Sequence, residues 1–544
     1  MINLTRRALM GAGAGAALLP RFAIGQSDNR PVINIAVQKI SNSNTLEVLR
    51  EQSNVGERIF FSSLWEGLIG RDWMDGLKTI PLLATEWKRI SDNVVELKLR
   101  QGVKFHNGDE MTAEDVAFSF GSSRMFGETP AMATGGRTIS IRGDAIPARA
   151  GRDLPPEIPA VARRSWPALE RVEIVDKYTV RFHNATPDVT LEGRLARYGS
   201  EIISRRGFSE AETWFDWARK PVTTGPYKVA EFRPDQSLTL VAHDEYWGGR
   251  PPIRQIRFLE VPEVSARINA LKSGEVNFAC DIPPDQIQSI ESDRAYEVQG
   301  GTILNHRIEV FNQTNPVLKD ARIRRAMTHA IDRAAIVESL WAGRTEVPQG
   351  LQWPYYESMF VAEWQAPKYD PKEAQRLLRE AGYKGDVIPY RLLNNYYTNQ
   401  TPTAQVIVEM YKAVGLNVQI EMKENWSQIL DRNGNRGIYD WSASAPYNDP
   451  VACIVNQFGP NGQVQQVGLW SNEESNKLCD VLETSTDRAA RKKAFARMLE
   501  ICEREDPVYQ VLHQNATFTA KRRETKWKAA PAFAMEFRSS NWGR

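Results

Sequence analysis

Beyond residue 30, stretches in which apolar and polar residues alternate give way repeatedly to longer ones whose apolar residues recur every three or four positions. A period of two buries one face of a strand and a period near 3.6 one face of a helix, so the interleaving prescribes an α/β protein. Strand-type stretches are "PVINIAVQK" (31–39), "NVVELKLRQGVKF" (93–105), "RVEIVDKYTVRFHN" (171–184, a hairpin turning at Asp176-Lys177), "TTGPYKVAEFRPDQSLTLVAH" (223–243), "VIPYRLLNN" (387–395) and "NVQIEMKEN" (417–425). Helix-type stretches are "SNSNTLEVLREQSNVGERIFFSSLWEGLI" (41–69), "TAEDVAFSFGSSRMF" (112–126), "VSARINALKSG" (264–274), "DARIRRAMTHAIDRAAIVESLWAG" (320–343) and "DPKEAQRLLREAGY" (370–383). Thr112 caps its helix, and Glu114 and Asp115 sit in the first turn, where the helix dipole favours acids. Residues 134–167 are rich in Gly, Pro and Arg, lack helical periodicity and read as a long surface excursion. No repeat and no break in composition divides the 544 residues, a length at which two or three domains are expected.

Ahead of the first strand lies "TRRALMGAGAGAALLP" (5–20). A phosphate-cradling glycine loop needs a strand before it, and only "MINL" precedes these arginines. The segment instead resembles a twin-arginine export signal: Arg6-Arg7, a 12-residue apolar run Ala8–Leu19, then the small-residue site Ala23-Ile24-Gly25. Cleavage near Gly25 and a soluble periplasmic protein are expected. The run is too short to span a bilayer, and nothing later approaches about 20 consecutive apolar residues. Loss of residues 1–25 removes three arginines and no acid, which takes 69 basic residues to 66 against 67 acidic. A nearly neutral chain with dispersed charges is not built for nucleic acid or an anionic membrane.

Four cysteines are too few to staple a fold of this size. Cys453 with Cys479, which flank one loop, is the favoured disulfide; four buried thiols, with Cys280 and Cys502, are the alternative. The six histidines are scattered, with no pair at metal-ligand spacing, and neither G-x-S-x-G nor H-E-x-x-H occurs. Neither an enzyme, a bound metal nor a cofactor is expected.

Six stretches in order, "LATEWKRISDNVVELKLRQGVKFHNGDEMTAEDVAFSF", "TTGPYKVAEF", "YWGGRPPI", "ARINALKSGEV", "KDARIRRAMTHAIDRAAIV" and "YDPKEAQRLLREAGY", together resemble the extracytoplasmic solute-binding proteins of peptide/nickel-type ABC importers, family 5, structural cluster C. The resemblance implies a two-lobed α/β fold of the periplasmic-binding-protein type with an accessory domain. Lobe one would comprise about 30–65, 216–300 and 505–544, the accessory domain 66–215 and lobe two 301–504, with hinge crossings near 300 and 505. It further implies a monomer that captures a small solute in the interlobe cleft and delivers it to an inner-membrane permease with its ATPase subunits. An exported hydrolase and a binder of a nickel chelate are the alternatives.

The resemblance also points to "YDWSASAPYNDPVACI" (439–454), where peptide-binding members carry an Asp that anchors the ligand's α-ammonium. Aligned on Asp449-Pro450, that position is Pro446, which has no acceptor, and the family's Trp position is Ala443. Asp440 or Asp449 could substitute if the loop slips. Planar amides and aromatic faces suit sugars and their conjugates; Asn44, Trp353, Asn394, Asn395, Tyr396, Tyr397, Trp441, Tyr447 and Asn448 are such groups near the expected groove. The candidate ligand contacts are therefore Asn44, Trp353, Asn394, Tyr396, Trp441, Pro446, Tyr447, Asn448 and Asp449. A peptide, a sugar conjugate and an opine-like compound all remain open as ligand.

Overall fold

The computed structural model describes residues 28–543, leaving aside 52, 53, 62, 128–130, 133–137, 140–153 and 395. The expected export signal therefore lies outside the described residues, as does most of the Gly/Pro/Arg-rich excursion. Ten strands form one sheet, in the order Tyr227–Arg233, Ser237–Ala242, Gln255–Glu260, Val32–Val37, Phe278–Ala279, Tyr509–Arg522, Tyr296–Phe311, Ile438–Ser444, Ile388–Leu393 and Val418–Lys423. Val32–Val37 pairs in parallel with Gln255–Glu260 and with Phe278–Ala279, and helix Val264–Ser273 packs as the crossover between those two. Ile388–Leu393 and Val418–Lys423 are likewise parallel, joined through helix Gln400–Ala413. Parallel strands covered on both faces read as apolar runs, and all six residues of Ile388–Leu393 are buried.

The two long central strands, Tyr296–Phe311 and Tyr509–Arg522, run antiparallel and belong to both halves. Their ladder is regular from Tyr296↔Arg522 to Thr302↔Ala516, breaks, and resumes at His306↔Gln514. Just before the break, Gly300 has φ +133°, and a Cβ there would lie 1.9 Å from the Thr517 carbonyl oxygen. Only glycine admits that approach.

A separate antiparallel sheet, Ala84–Ser91, Val94–Leu99, Thr179–Asn184 and Leu169–Asp176, carries the hairpin expected at Asp176-Lys177. Helix Ala113–Ser119 begins in a capping box between Thr112 and Asp115. Phe120 meets both Trp166 and Phe182 edge-on at 4.9 Å, joining the sheet to the helices that cover it.

Three local expectations are corrected. The helix read into 41–69 shrinks to Asn54–Ile59; upstream, the Ser41 hydroxyl and the Ser43 amide and hydroxyl all donate to Glu51 at 2.8 Å. Short polar side chains that bond locally compete with helical hydrogen bonds. Within 134–167, Glu157–Ser165 is a helix after all, burying Ile158, Ala162 and Ser165 at helical spacing. The single helix read at 320–343 is two, Ala321–Ala330 and Arg333–Trp341, because Asp332 caps the second by accepting from Ala335 N.

The Cys453–Cys479 disulfide is also overturned. All four cysteines are buried and free. Cys453, Cys479 and Cys502 lie in one hydrophobic cluster with Phe458, Leu482 and Phe495, where burial pushes the thiols up and keeps them protonated.

Candidate functional site

Between the two halves of the large sheet lies a cleft of about 1100 Å³. One wall is the loop Gln38–Asn44 with Glu51, Glu57, Arg58 and Asp281; beside it stand Arg164, Arg197 and Tyr198. The other is built from residues 393, 394 and 396–398, 422–427 with Leu430, and residues of 441–446, and Asn305 and Asn515–Thr517 of the crossing strands close the back.

This second wall is aromatic. Tyr396 meets Trp426 at 5.3 Å and Tyr397 at 4.7 Å, and Trp426 meets Trp441 at 5.5 Å, all edge to face. Edge-to-face packing leaves ring faces available to a planar or pyranose partner. Tyr396 is held by its amide, which donates to Gln400 Oε1 at 2.5 Å. Asn394 and Asn44 are exposed at the rim, Asn44 in the left-handed region (φ 56°) that Asn tolerates.

Beneath Tyr397 the floor is charged. The Arg307 guanidinium sits 3.7 Å from the centre of the Tyr397 ring and forms an ion pair with Asp440, which also accepts from Gln400 Nε2 at 2.6 Å. Both members of the pair are buried, and burial outweighs the arginine to raise Asp440 to about 6. Two further charges beside the cleft behave differently from each other. Arg58 is paired with Asp281 (Nη2 to Oδ1, 2.6 Å), whereas Glu57 has no hydrogen-bond or ion-pair partner among the described residues. Burial raises the Glu57 carboxyl against the pull of Arg71 and Arg58.

Of the residues singled out in the sequence, Asn44, Asn394, Tyr396, Tyr397, Trp441 and Pro446 line the cleft, joined by Ser444. Asn395 lies outside the described residues. Four candidates are corrected. Trp353 is buried in a hydrophobic cluster away from the cleft, stacked on His306 at 4.0 Å. Tyr447 packs so closely on Gly193 that a Cβ there would lie 2.8 Å from its ring. Asn448 is exposed away from the cleft. Asp449 is taken by Arg491 (2.8 and 2.9 Å) and by the Val451 amide. Neither stand-in carboxylate, Asp440 or Asp449, faces the cleft; each already neutralises a buried arginine.

The turn Thr223–Tyr227 is structural: a Cβ on Gly225 would lie 2.3 Å from Leu64 O, and His106 Nε2 bonds the Gly225 carbonyl at 3.0 Å. Among the described residues no group of three or more His, Cys, Asp or Glu side chains could hold a metal ion. Sequence reading missed Glu57, Arg164, Arg197 and Trp426. Glu57, Arg164 and Trp426 sit in separate short helices and Arg197 just past another, so no periodic signal links them and only the fold brings them to one cavity.

The fold is that of known binding proteins. The dipeptide-binding protein of Pseudoalteromonas sp. SM9913, solved in complex with Met-Leu, superposes with TM-score 0.80 at 20% identity over 93% of this chain and 98% of that one. NikA of Staphylococcus aureus in complex with Ni(L-His)2 does so with TM-score 0.76 at 18% identity over 93% and 98%. The oligopeptide-binding protein AppA of Bacillus subtilis is 24% identical over 445 residues, 77% of this chain and 75% of that protein. The model of the bacterial extracellular solute-binding proteins, family 5, matches residues 78–465. A match across most of the chain, on a two-lobed fold with its cleft between the lobes, places the chain in that family: it is a member of the bacterial extracellular solute-binding proteins, family 5.

Proposed function

We propose that the protein is the exported capture component of an ABC importer, a monomer that closes its lobes on one small polar solute and hands it unaltered to a membrane permease and its ATPase subunits. The observation that carries this reading is the single cleft of about 1100 Å³ walled by side chains from both halves of the sheet. A ligand that touches both walls stabilises the closed arrangement by its differential contacts, and the strand crossings at about 300 and 505 are where the lobes rotate. In this reading 30–65, 216–300 and 505–544 form lobe one, 66–215 its accessory domain and 301–504 lobe two.

The aromatic wall of Tyr396, Trp426 and Trp441, with Asn394 and Asn44 at the rim, favours a solute with a planar or glycosidic face, a sugar conjugate or opine-like compound, over a plain dipeptide. A thermal-shift screen of such conjugates, dipeptides and nickel chelates should find one class that raises the melting temperature, because a ligand bound only by the native state adds RT ln(1 + [L]/Kd). With that ligand at saturation, small-angle scattering should give a smaller radius of gyration. An unchanged radius, or hydrolysis of the ligand at a catalytic rate, would refute the reading.

Pro446 carries a second expectation. Segment 439–450 presents no carboxylate to the cleft, so a dipeptide and its N-acetyl form should bind with affinities within a few fold of each other in calorimetry. A charge-assisted bond to an α-ammonium would instead separate them by about ten- to a hundredfold. If they separate so, Glu57 supplies the anchor, and Glu57→Gln would erase the difference.

A further inference from the structure

Arg194 and Arg197 lie three residues apart and are both buried, yet they are treated oppositely. Arg194 is fully engaged: Nε with Asp188 at 3.0 Å, Nη2 with Glu483 at 3.2 Å and Nη1 with the Ser165 carbonyl at 2.9 Å. Arg197 is 6% exposed and lines the cleft, but no described carboxylate pairs with it, and its Nε is buried without an acceptor. Its guanidinium packs against the Tyr198 ring, 4.7 Å from the centroid, with Tyr447 and Arg164 close enough to feel its charge. The nearby acids are already committed: Asp188 and Glu483 to Arg194, Asp449 to Arg491, Glu51 to Ser41 and Ser43. A buried cation without a counter-charge is costly, and each unsatisfied group of this kind needs an explanation.

A second guanidinium stands beside it. Arg164, from the helix Glu157–Ser165, lines the same part of the cleft, and burial together with Arg197 pushes it down to about 10. Two adjoining guanidinium forks, one with no hydrogen-bond acceptor among the described residues, form a donor array matched to the geometry of a carboxylate or phosphate.

We propose that Arg164 and Arg197 form an oxyanion subsite that receives the doubly charged group of the captured solute, a phosphate or a pair of carboxylates. The inference rests on the cleft being the solute site. It narrows the ligand to an anion-bearing conjugate whose uncharged face lies against the aromatic wall.

The test is calorimetry on the mature protein with glucose 6-phosphate, citrate, glucose and chloride. Glucose 6-phosphate, citrate or both should bind, with glucose and chloride weaker by at least about tenfold. Binding of only the first identifies a phosphate source and of only the second a carboxylate source. Arg197→Gln and Arg164→Gln should each weaken the bound probe by about ten- to a hundredfold, and Arg197→Lys, which keeps the charge but loses the fork, should fall between. Without any probe, Arg197→Gln should melt no lower than wild type, since it removes an unpaired buried charge. Failure of wild type to bind either oxyanion, equal affinity in Arg197→Gln, or a lowered melting temperature with binding kept would overturn the subsite. A neutral solute that closes the lobes while the oxyanions do not bind would leave the cleft reading intact and remove this one alone.

Discussion

Arg307→Met should lower folding stability by about 3 to 5 kcal/mol at pH 7.5, because it leaves Asp440 buried without its cation. The two side chains are 3% and 0% exposed, so water cannot replace the lost partner. The loss should shrink at low pH. Burial already holds the folded Asp440 carboxyl at about 6, above its ordinary value, and removing Arg307 raises it further. A carboxyl raised on folding favours the native state most below its unfolded pKa, and that advantage is lost as pH rises through the folded pKa. Urea denaturation of the variant at pH 5 and pH 7.5 should therefore show a larger deficit at pH 7.5. A deficit equal at both values would mean that the lost packing under Tyr397, not the orphaned charge, is what the variant feels. Tyr397 should also lose its fixed place in the cleft, since the guanidinium is what its ring rests on.

Gly300→Ala should destabilise by about 3 kcal/mol or more, from overpacking added to a backbone conformation that alanine rarely adopts. The new methyl would meet the Thr517 carbonyl oxygen at 1.9 Å, and that oxygen belongs to the partner strand of the crossing and cannot swing aside. Gly301 is the internal control: a Cβ there has nothing within 4 Å, so Gly301→Ala should change stability by well under about 1 kcal/mol. Chemical denaturation of the two variants side by side decides the matter, and similar stabilities for both would show that the crossing strands yield more than close packing allows.

Much of the fold is legible in the sequence. The α/β interleaving, the hairpin at Asp176-Lys177, the cap at Thr112 and the helices at 264–274 and 370–383 follow from periodicity and capping chemistry, which act over a few residues. The misread stretches fail for a definable reason. In 41–69 the apolar spacing suits a helix, but Glu51 collects the hydroxyls of Ser41 and Ser43 and folds the chain into a loop instead. At 320–343 the apolar stripe runs on through Ile331, and only the cap at Asp332 shows that the helix is broken.

The candidate site divides in the same way. Tyr396, Trp441, Asn394, Asn44 and Pro446 were found because their types and their place in the resemblance pointed to a groove. Trp353, Tyr447 and Asp449 have the same chemistry, but the first stacks on His306, the second on Gly193, and the third is neutralised by Arg491. Chemical type sets what a side chain can do; its neighbours decide whether it is free to do it. Arg194 and Arg197 show this most sharply, the first ending the short helix Leu191–Arg194 and the second three residues beyond it. The sequence by itself determined the layers, the family and the absence of a carboxylate at position 446. Only the tertiary structure decided which charges are paired, because pairing depends on residues such as Glu483, 289 positions from Arg194, that only the packing of distant segments brings within hydrogen-bond reach.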